Sequence, residues 1–575
     1  MNKKQIEYVV STHLAIIYGE TTAKRYVGAF TSLLETYWRI LAQRPQKAGL
    51  PLEDHSSILI TYADSIINDG QEATLCTLQA FLHEYVGPTI STVHLLPFFP
   101  ASSDDGFSVI DPTMVDPSFG NWDDIHSLQS EYSLMFDFVV NHLSQENKWI
   151  QAALNDDERY KDFIITMTGK EDLHQVFRPR ALPLLTRFGQ KLVWTTFSSD
   201  QVDVNYQNPE VLLKMSEVLL QYLAHGASVI RLDAVAFLWK ELGTRCIHHS
   251  KTHAIIQFFS HIISLLSPSS ILITETNVPH QDNISYFGDG HNEATMVYNF
   301  SLPPLVYHTF LSQDATALRT WAGTLSLPST EVTFFNFLAS HDGIGLMPVK
   351  DILRADEIEA MAKHAEAEGG FVSSKSESDG STSPYELNIN YFSALSHIVP
   401  GESEELAVER FIAASAIMIF FKGIPGIYIH SLIGSKNYCD APSLATHPRK
   451  INREKIQIAT LRKELSNPKS RRARILNQML ALLDIRKREQ ALSPLAEQLM
   501  LATGNPHCFA FSRSMQGSDT ESEELLIVVN ISASQQEVFL DGRGGMYRDL
   551  VGQSSFLFTT SLPLRPYQVL VMKSM

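Results

Sequence analysis

VIRLDAVAF, residues 229–237, places Arg231 and Asp233 two positions apart in an otherwise apolar run. In an extended segment residues i and i+2 share a face, so both charges point the same way at the end of a strand apolar enough for a core. Two readings stand at this point: a structural ion pair, or a pair facing a polar site.

The surrounding pattern narrows the choice. Short apolar runs rich in β-branched and aromatic residues recur on both sides: SILITYAD, STVHLLPF, SLMFDFVV, SVIRLDAV, ILITET, ATMVYNF, VTFFNFLAS and GIPGIYI. Longer stretches with helical spacing separate them. Strands alternating with helices imply a parallel sheet, and with this number of strands a closed (β/α)8 TIM barrel is the economical α/β solution, a doubly wound sheet being the alternative. The barrel is expected over residues 56–494. Two insertions, 142–205 and 346–404, are too long for ordinary βα loops and are candidate lids or substrate-shaping subdomains, called here domains B and B′. The Ser-rich stretch SSKSESDGSTSPYE in the second reads either as part of such a lid or as a surface loop. Residues 1–55 carry helical periodicity, with Tyr26, Phe30, Leu33 and Tyr37 at spacings of three and four. Residues 495–575 change to short strands and suggest a small β-sandwich.

Composition excludes several classes. The chain has 575 residues, 44% hydrophobic and 19% charged, with a net charge of −17, which disfavours nucleic acid and anionic membrane as partners. An anionic substrate would need local Arg or Lys to overcome that field. The four cysteines form no CxxC pattern, so neither a disulfide framework nor a zinc knuckle is indicated and a reducing cytoplasm fits. The most apolar segment, FIAASAIMIFFKGIPGIYI, is divided by Lys422 and Pro425 into a helix and a strand, so no membrane span is expected.

In a barrel, residues at the C-terminal ends of different strands meet around one pocket. On this reading Asp137 ends the third strand, Asp233 the fourth, Glu275 the fifth and Asp342 the seventh. Carboxylates in apolar contexts are costly unless paired or used. Retaining glycoside chemistry needs one carboxylate as nucleophile and one carboxylic acid for the leaving oxygen, roughly 5–5.5 Å apart, and Asp233 and Glu275 on adjacent strands meet that need. Arg231 then opposes a rise in the pKa of the nucleophile.

The segments DFVVNH, VIRLDAV, ITET and ASHDG resemble, in order, the four recurring motifs of the α-amylase superfamily, glycoside hydrolase family 13. The resemblance implies Asp233 as nucleophile, Glu275 as general acid/base and Asp342 as transition-state stabiliser, with His142, Arg231 and His341 lining the glucose subsite. HLLPFFPASSDDGFSVIDP, FRPRALPLL, LVWTTF, SPYELNINYF and INRE are similar to the sucrose phosphorylase subfamily across nearly the whole chain. That likeness implies a retaining phosphorylase with a double-displacement mechanism, a small-molecule glucoside and inorganic phosphate as co-substrates, and no cofactor. Asp104 and Arg453 would clamp glucosyl hydroxyls, Phe197 would be an apolar platform, and Arg180 and Tyr385 would bind phosphate. The helical extension, SSDDGFSVID and SPYELN are most similar to the branch acting on glucosylglycerate, where the acceptor is D-glycerate. Sucrose-specific members carry Gln where Glu386 stands, so Glu386 becomes a candidate acceptor contact or a partner for its own loop's backbone. Sucrose, sucrose 6′-phosphate and glucosylglycerol remain alternative donors, and family 13 hydrolysis or transglucosylation and a non-catalytic binding subunit are alternative functions. The state of assembly, monomer or homodimer, is left open.

Asn141 stands where many amylases place a calcium ligand, but no further oxygen cluster accompanies it and the phosphorylase branch generally lacks that calcium, so a hydrogen-bonding role is expected. CIHHSKTH, 246–253, has no second ligand cluster, so zinc is not expected.

Overall fold

The computed structural model describes residues 3–43, 52, 57–70, 72–180, 182–376, 382–516, 522–540, 542–559 and 561–575. Part of the helical extension (44–51 and 53–56), Ala181 of FRPRALPLL and the centre of the Ser-rich stretch (377–381) lie outside the described residues.

Eight parallel strands close into a barrel: β1 Ile58–Thr61, β2 Thr92–Leu95, β3 Ser133–Val139, β4 Ala227–Asp233, β5 Ile271–Thr274, β6 Met296–Tyr298, β7 Thr333–Phe337 and β8 Ile424–Tyr428. Each pairs with its chain neighbours and β1 pairs with β8. The strands are buried almost throughout, as expected where helices cover the outer face and side-chain layers fill the interior. The apolar segment at 411–429 divides as its Lys and Pro predict: the helix Glu404–Phe420 ends and, after three intervening residues, β8 begins at Ile424. Among the described residues no helix is long and apolar enough to cross a membrane.

The N-terminal segment is a helical hairpin, α1 Lys3–Tyr18 and α2 Glu20–Ala42, turned at Gly19, whose φ of 83° lies in the region that favours glycine. It packs outside the barrel against the helices Pro209–Ala224 and Ser250–Leu266 that flank β4, with Phe30 edge-on to Phe258.

The first insertion contributes a strand, His142–Ser144, paired with Gln201–Asp203, and a small sheet of Thr166–Met167, Leu185–Phe188 and Lys191–Trp194. The second forms the helix Ala355–Ala367 and a hairpin of Phe371–Ser376 with Thr382–Asn388, so both flanks of the Ser-rich stretch are strand. At the C-terminus a six-stranded antiparallel sheet packs against a two-stranded one, Gln536–Val538 with Leu562–Leu564. Alternation assigns the faces: Cys508 and Ala510 turn into the sandwich core, whereas Phe509 and Phe511 join the core shared with the barrel.

Candidate active site

The site begins with a register. In β4 and β5, Leu232 pairs with Thr274, and the Glu275 amide donates to the Leu232 carbonyl at 3.2 Å, which carries the ladder one residue past β5. Asp233 and Glu275 therefore leave neighbouring parallel strands, about 4.8 Å apart, at equivalent positions and on the same face. Ala234, next after the first of them, holds φ 56°, ψ 27°. A non-glycine residue in this left-handed conformation costs of order 1–3 kcal/mol, the kind of strain that collects where a chain must aim a functional group.

Arg231 serves both readings raised by its sequence. Its Nη1 donates to Asp137 and, at 2.9 Å, to Asp233 Oδ1. Asp137 sits inside β3 rather than at its end, directly opposite Arg231 in the register, and His94 Nε2 binds its other oxygen at 2.6 Å. One buried guanidinium thus links a structural carboxylate to a pocket carboxylate. Burial pushes the Asp233 carboxyl well up, and Arg231 offsets this only in part because Asp137 shares the same nitrogen. Burial also raises Glu275, with Arg231 opposing it. The two titrate as a pair, and the hydrogen bond from Arg231 assigns the negative charge to Asp233 and the retained proton to Glu275, whose carboxylate accepts no hydrogen bond among the described residues.

Asp342 lies in the loop after β7, which ends at Phe337, and not at the strand end. Burial would raise its carboxyl, but Arg449, His341 and Arg453 hold it far below the usual range. The nearest cation is Arg449, with Nη1 2.5 Å from Asp342 Oδ1. Arg449 is not among the residues that the motifs single out. Its signal was the run of three cations in HPRKINRE, two of which, Arg449 and Lys450, line the cavity beside the recognised Arg453.

The other expected residues surround the same cleft of about 720 Å³. Arg453 donates at 2.7 Å to Asp105, with Asp104 Oδ1 at 3.5 Å, so the clamp is shared by both aspartates and its closer partner is the one the sequence reading passed over. Both aspartates have positive φ, and Gly106 follows at φ 110°, where a Cβ would sit 2.5 Å from the Pro97 carbonyl oxygen. Only glycine lets the loop turn both carboxylates onto Arg453. His142 Nε2 lies 3.1 Å from the Phe107 carbonyl, and burial lowers its pKa to about 4. His341 stacks on the Phe107 ring at 4.7 Å, and burial lowers its pKa to about 3. Both imidazoles are neutral at neutral pH. Phe197 stands 5.3 Å from His142 and edge-on to Phe237.

Arg180 reaches the mouth from the first insertion, 3.9 Å from Asp104 Oδ2 and 5.8 Å from the Phe197 ring. Tyr385 lines the cavity from the second insertion, its phenol pushed up to about 12 by burial. Glu386 also borders the cavity, but its carboxylate is taken up by Arg449 and the Gly343 amide.

The side-chain oxygen of Asn141 accepts from the buried Lys240 ammonium at 2.7 Å, and its side-chain amide donates to Asp203, which Lys240 also contacts at 2.6 Å. In CIHHSKTH, His248 pairs with Tyr286 and His253 with Glu293. Among the described residues no three His, Cys, Asp or Glu side chains are grouped to hold a metal.

The family model for the α-amylase catalytic domain matches residues 85–344, which span β2 to β7 and the three carboxylates. The chain is 45% identical to a glucosylglycerate phosphorylase of Spirochaeta thermophila, covering 91% of this chain and 89% of the relative. It is 42% identical to a glucosylglycerate phosphorylase of Escherichia coli, covering 98% and 99%. The crystal structure of sucrose 6F-phosphate phosphorylase from Thermoanaerobacter thermosaccharolyticum superposes with a TM-score of 0.72 at 21% identity, over 88% of this chain and 99% of that one, a likeness of fold. With identity of this order over nearly its full length, and with the carboxylates placed as described, the chain belongs to the α-amylase superfamily, glycoside hydrolase family 13, in the subfamily that holds these phosphorylases.

Proposed function

We propose that the chain is a retaining α-glucoside phosphorylase that converts glucosylglycerate and phosphate to α-D-glucose 1-phosphate and D-glycerate. The observation that carries this reading is the side-by-side exit of Asp233 and Glu275 from β4 and β5 into a cleft with Arg180 and Tyr385 at its mouth. The activity of the two relatives supports the choice of glycerate.

Asp233 attacks the anomeric carbon while Glu275 gives its proton to the departing glycerate oxygen. This leaves a β-glucosyl ester and an ionised Glu275. Glu275 then takes a proton from phosphate, whose oxygen attacks the same carbon; the ester bond breaks, Asp233 regains its charge, and two inversions give net retention. Asp342, Arg453 and the neutral His142 and His341 hydrogen-bond the glucosyl hydroxyls. Arg180 and Tyr385 receive phosphate and the glycerate carboxylate in turn, because a guanidinium offers charge-assisted donors to either anion. Phosphate is a co-substrate, no resident cofactor takes part, and the enzyme works in the cytoplasm.

The test is product identity. Glucosylglycerate with phosphate should yield α-glucose 1-phosphate, and omission of phosphate should slow turnover by orders of magnitude. Glucose released at equal rates with and without phosphate would make the chain a hydrolase.

A further inference from the structure

Glu386 reaches the site by strand pairing. Residues Ile344–Gly345, just beyond Asp342, pair antiparallel with Thr382–Asn388, setting Gly345 opposite Glu386 and Ile344 opposite Leu387. The Gly343 amide donates to Glu386 Oε1 at 2.7 Å. A Cβ on Gly343 would lie 2.6 Å from the Leu387 carbonyl oxygen and 2.7 Å from Glu386 Cγ, so the close approach requires glycine. The Glu386 carboxylate, fixed in this way, grips Arg449 with both oxygens: Nε to Oε1 at 3.1 Å and Nη2 to Oε2 at 3.1 Å. A two-bond grip fixes the guanidinium plane. The remaining nitrogen, Nη1, then has one direction, and it meets Asp342 Oδ1 at 2.5 Å. Glu386 itself is 5% exposed.

We propose that Arg449 and Glu386 form a positioning pair for Asp342, so that Glu386 acts on the glucosyl chemistry through Arg449 and not by contact with the acceptor. The hairpin that carries Tyr385 on the acceptor side is thereby tied, one residue later, to the carboxylate on the glucosyl side. Asp342 is further bordered by His341 and by Arg453 Nη2 at 3.6 Å, which keep it in the site but do not touch Glu386. The inference rests on the reading of Asp342 as a contact to the glucosyl ring.

The test uses α-glucosyl fluoride hydrolysed without phosphate or glycerate, in the full chain, for Glu386→Gln, Arg449→Lys and the double variant. An amide in place of Glu386 has one acceptor oxygen and turns a donor NH2 toward the guanidinium in place of the other, so the two parallel bonds cannot both form. Glu386→Gln should lower kcat about ten- to hundredfold with KM for the fluoride nearly unchanged, the size expected when a catalytic group is misplaced by a fraction of an ångström to an ångström. In the Arg449→Lys background the same change should cost less than about twofold, because its route to Asp342 is already cut. Equal losses in both backgrounds would overturn the proposal. So would a Glu386→Gln variant that hydrolyses the fluoride at the normal rate and loses only affinity for glycerate. Should Arg449→Lys fail to fold, this second comparison decides alone. No phosphate or acceptor enters the assay, so failure of the phosphorylase reading would leave this result intact, and the reverse.

Discussion

Arg180→Ala should turn a phosphorylase into a slow hydrolase. The side chain is about one-third exposed, and its nearest carboxylate oxygen, on Asp104, is at 3.9 Å, too far for a hydrogen bond. Removing it leaves no buried group without a partner, since Asp104 keeps Arg453. The fold should therefore be unaffected, and the cost should fall on the anions. A charge-assisted hydrogen bond contributes about 1.5–3 kcal/mol, and solvent screening at a partly exposed site favours the lower part of that range. At about 1.4 kcal/mol per factor of ten, binding of phosphate and of glycerate should each weaken about tenfold, and up to a hundredfold if both ends of the guanidinium fork are used. Hydrolysis of the glucosyl enzyme needs neither anion and should change little. Phosphorolysis, synthesis from glycerate and hydrolysis, measured side by side, separate the cases. An equal loss in all three would mean that Arg180 holds the site together and binds no anion, and a loss with phosphate alone would leave the glycerate carboxylate without its cation.

Asp233→Asn should lower turnover by several orders of magnitude with the thermal midpoint nearly unchanged, and appreciable activity in the folded variant would reassign the nucleophile. The pH profile of kcat/KM should be a bell, since Asp233 must be ionised and Glu275 protonated. Burial raises Glu275, so activity should be lost as pH rises through a value above the ordinary carboxylate pKa of about 4.3. Glu275→Gln should remove that alkaline limb and spare glucosyl fluoride more than glucosylglycerate; an unchanged limb would place the acid elsewhere. Chelators should leave both rate and thermal midpoint unchanged, because the Asn141 oxygen is held by Lys240. Lys240→Met should destabilise the fold by about 3–5 kcal/mol in denaturant unfolding, since it leaves the buried Asp203 carboxylate without its counter-charge; a loss below 1 kcal/mol would contradict that role.

The barrel was legible because its strands are short, continuous apolar runs, and all eight runs quoted from the sequence contain barrel strands. Asp233 and Glu275 were legible for the same reason: a charge closing an apolar strand is conspicuous. Asp342 was identified by motif, yet its place in a loop was not, because nothing local marks where β7 stops pairing. Arg449 and the grip of Glu386 on it were hidden. Their meeting depends on strand pairing between residues some forty positions apart, Gly345 and Glu386, and on a loop after β8 that carries no periodic pattern. The sharing of Arg453 between Asp104 and Asp105 turns on positive φ angles at both aspartates, a conformation that local sequence does not announce.

Acceptor choice is the most direct measure of the activity. Supplied with α-glucose 1-phosphate, the enzyme should release phosphate rapidly with D-glycerate and form glucosylglycerate, and it should be much slower with glycerol, fructose or fructose 6-phosphate. Phosphate release that is fastest with glycerol, fructose or fructose 6-phosphate, or that yields free glucose whichever acceptor is present, would contradict the glycerate assignment.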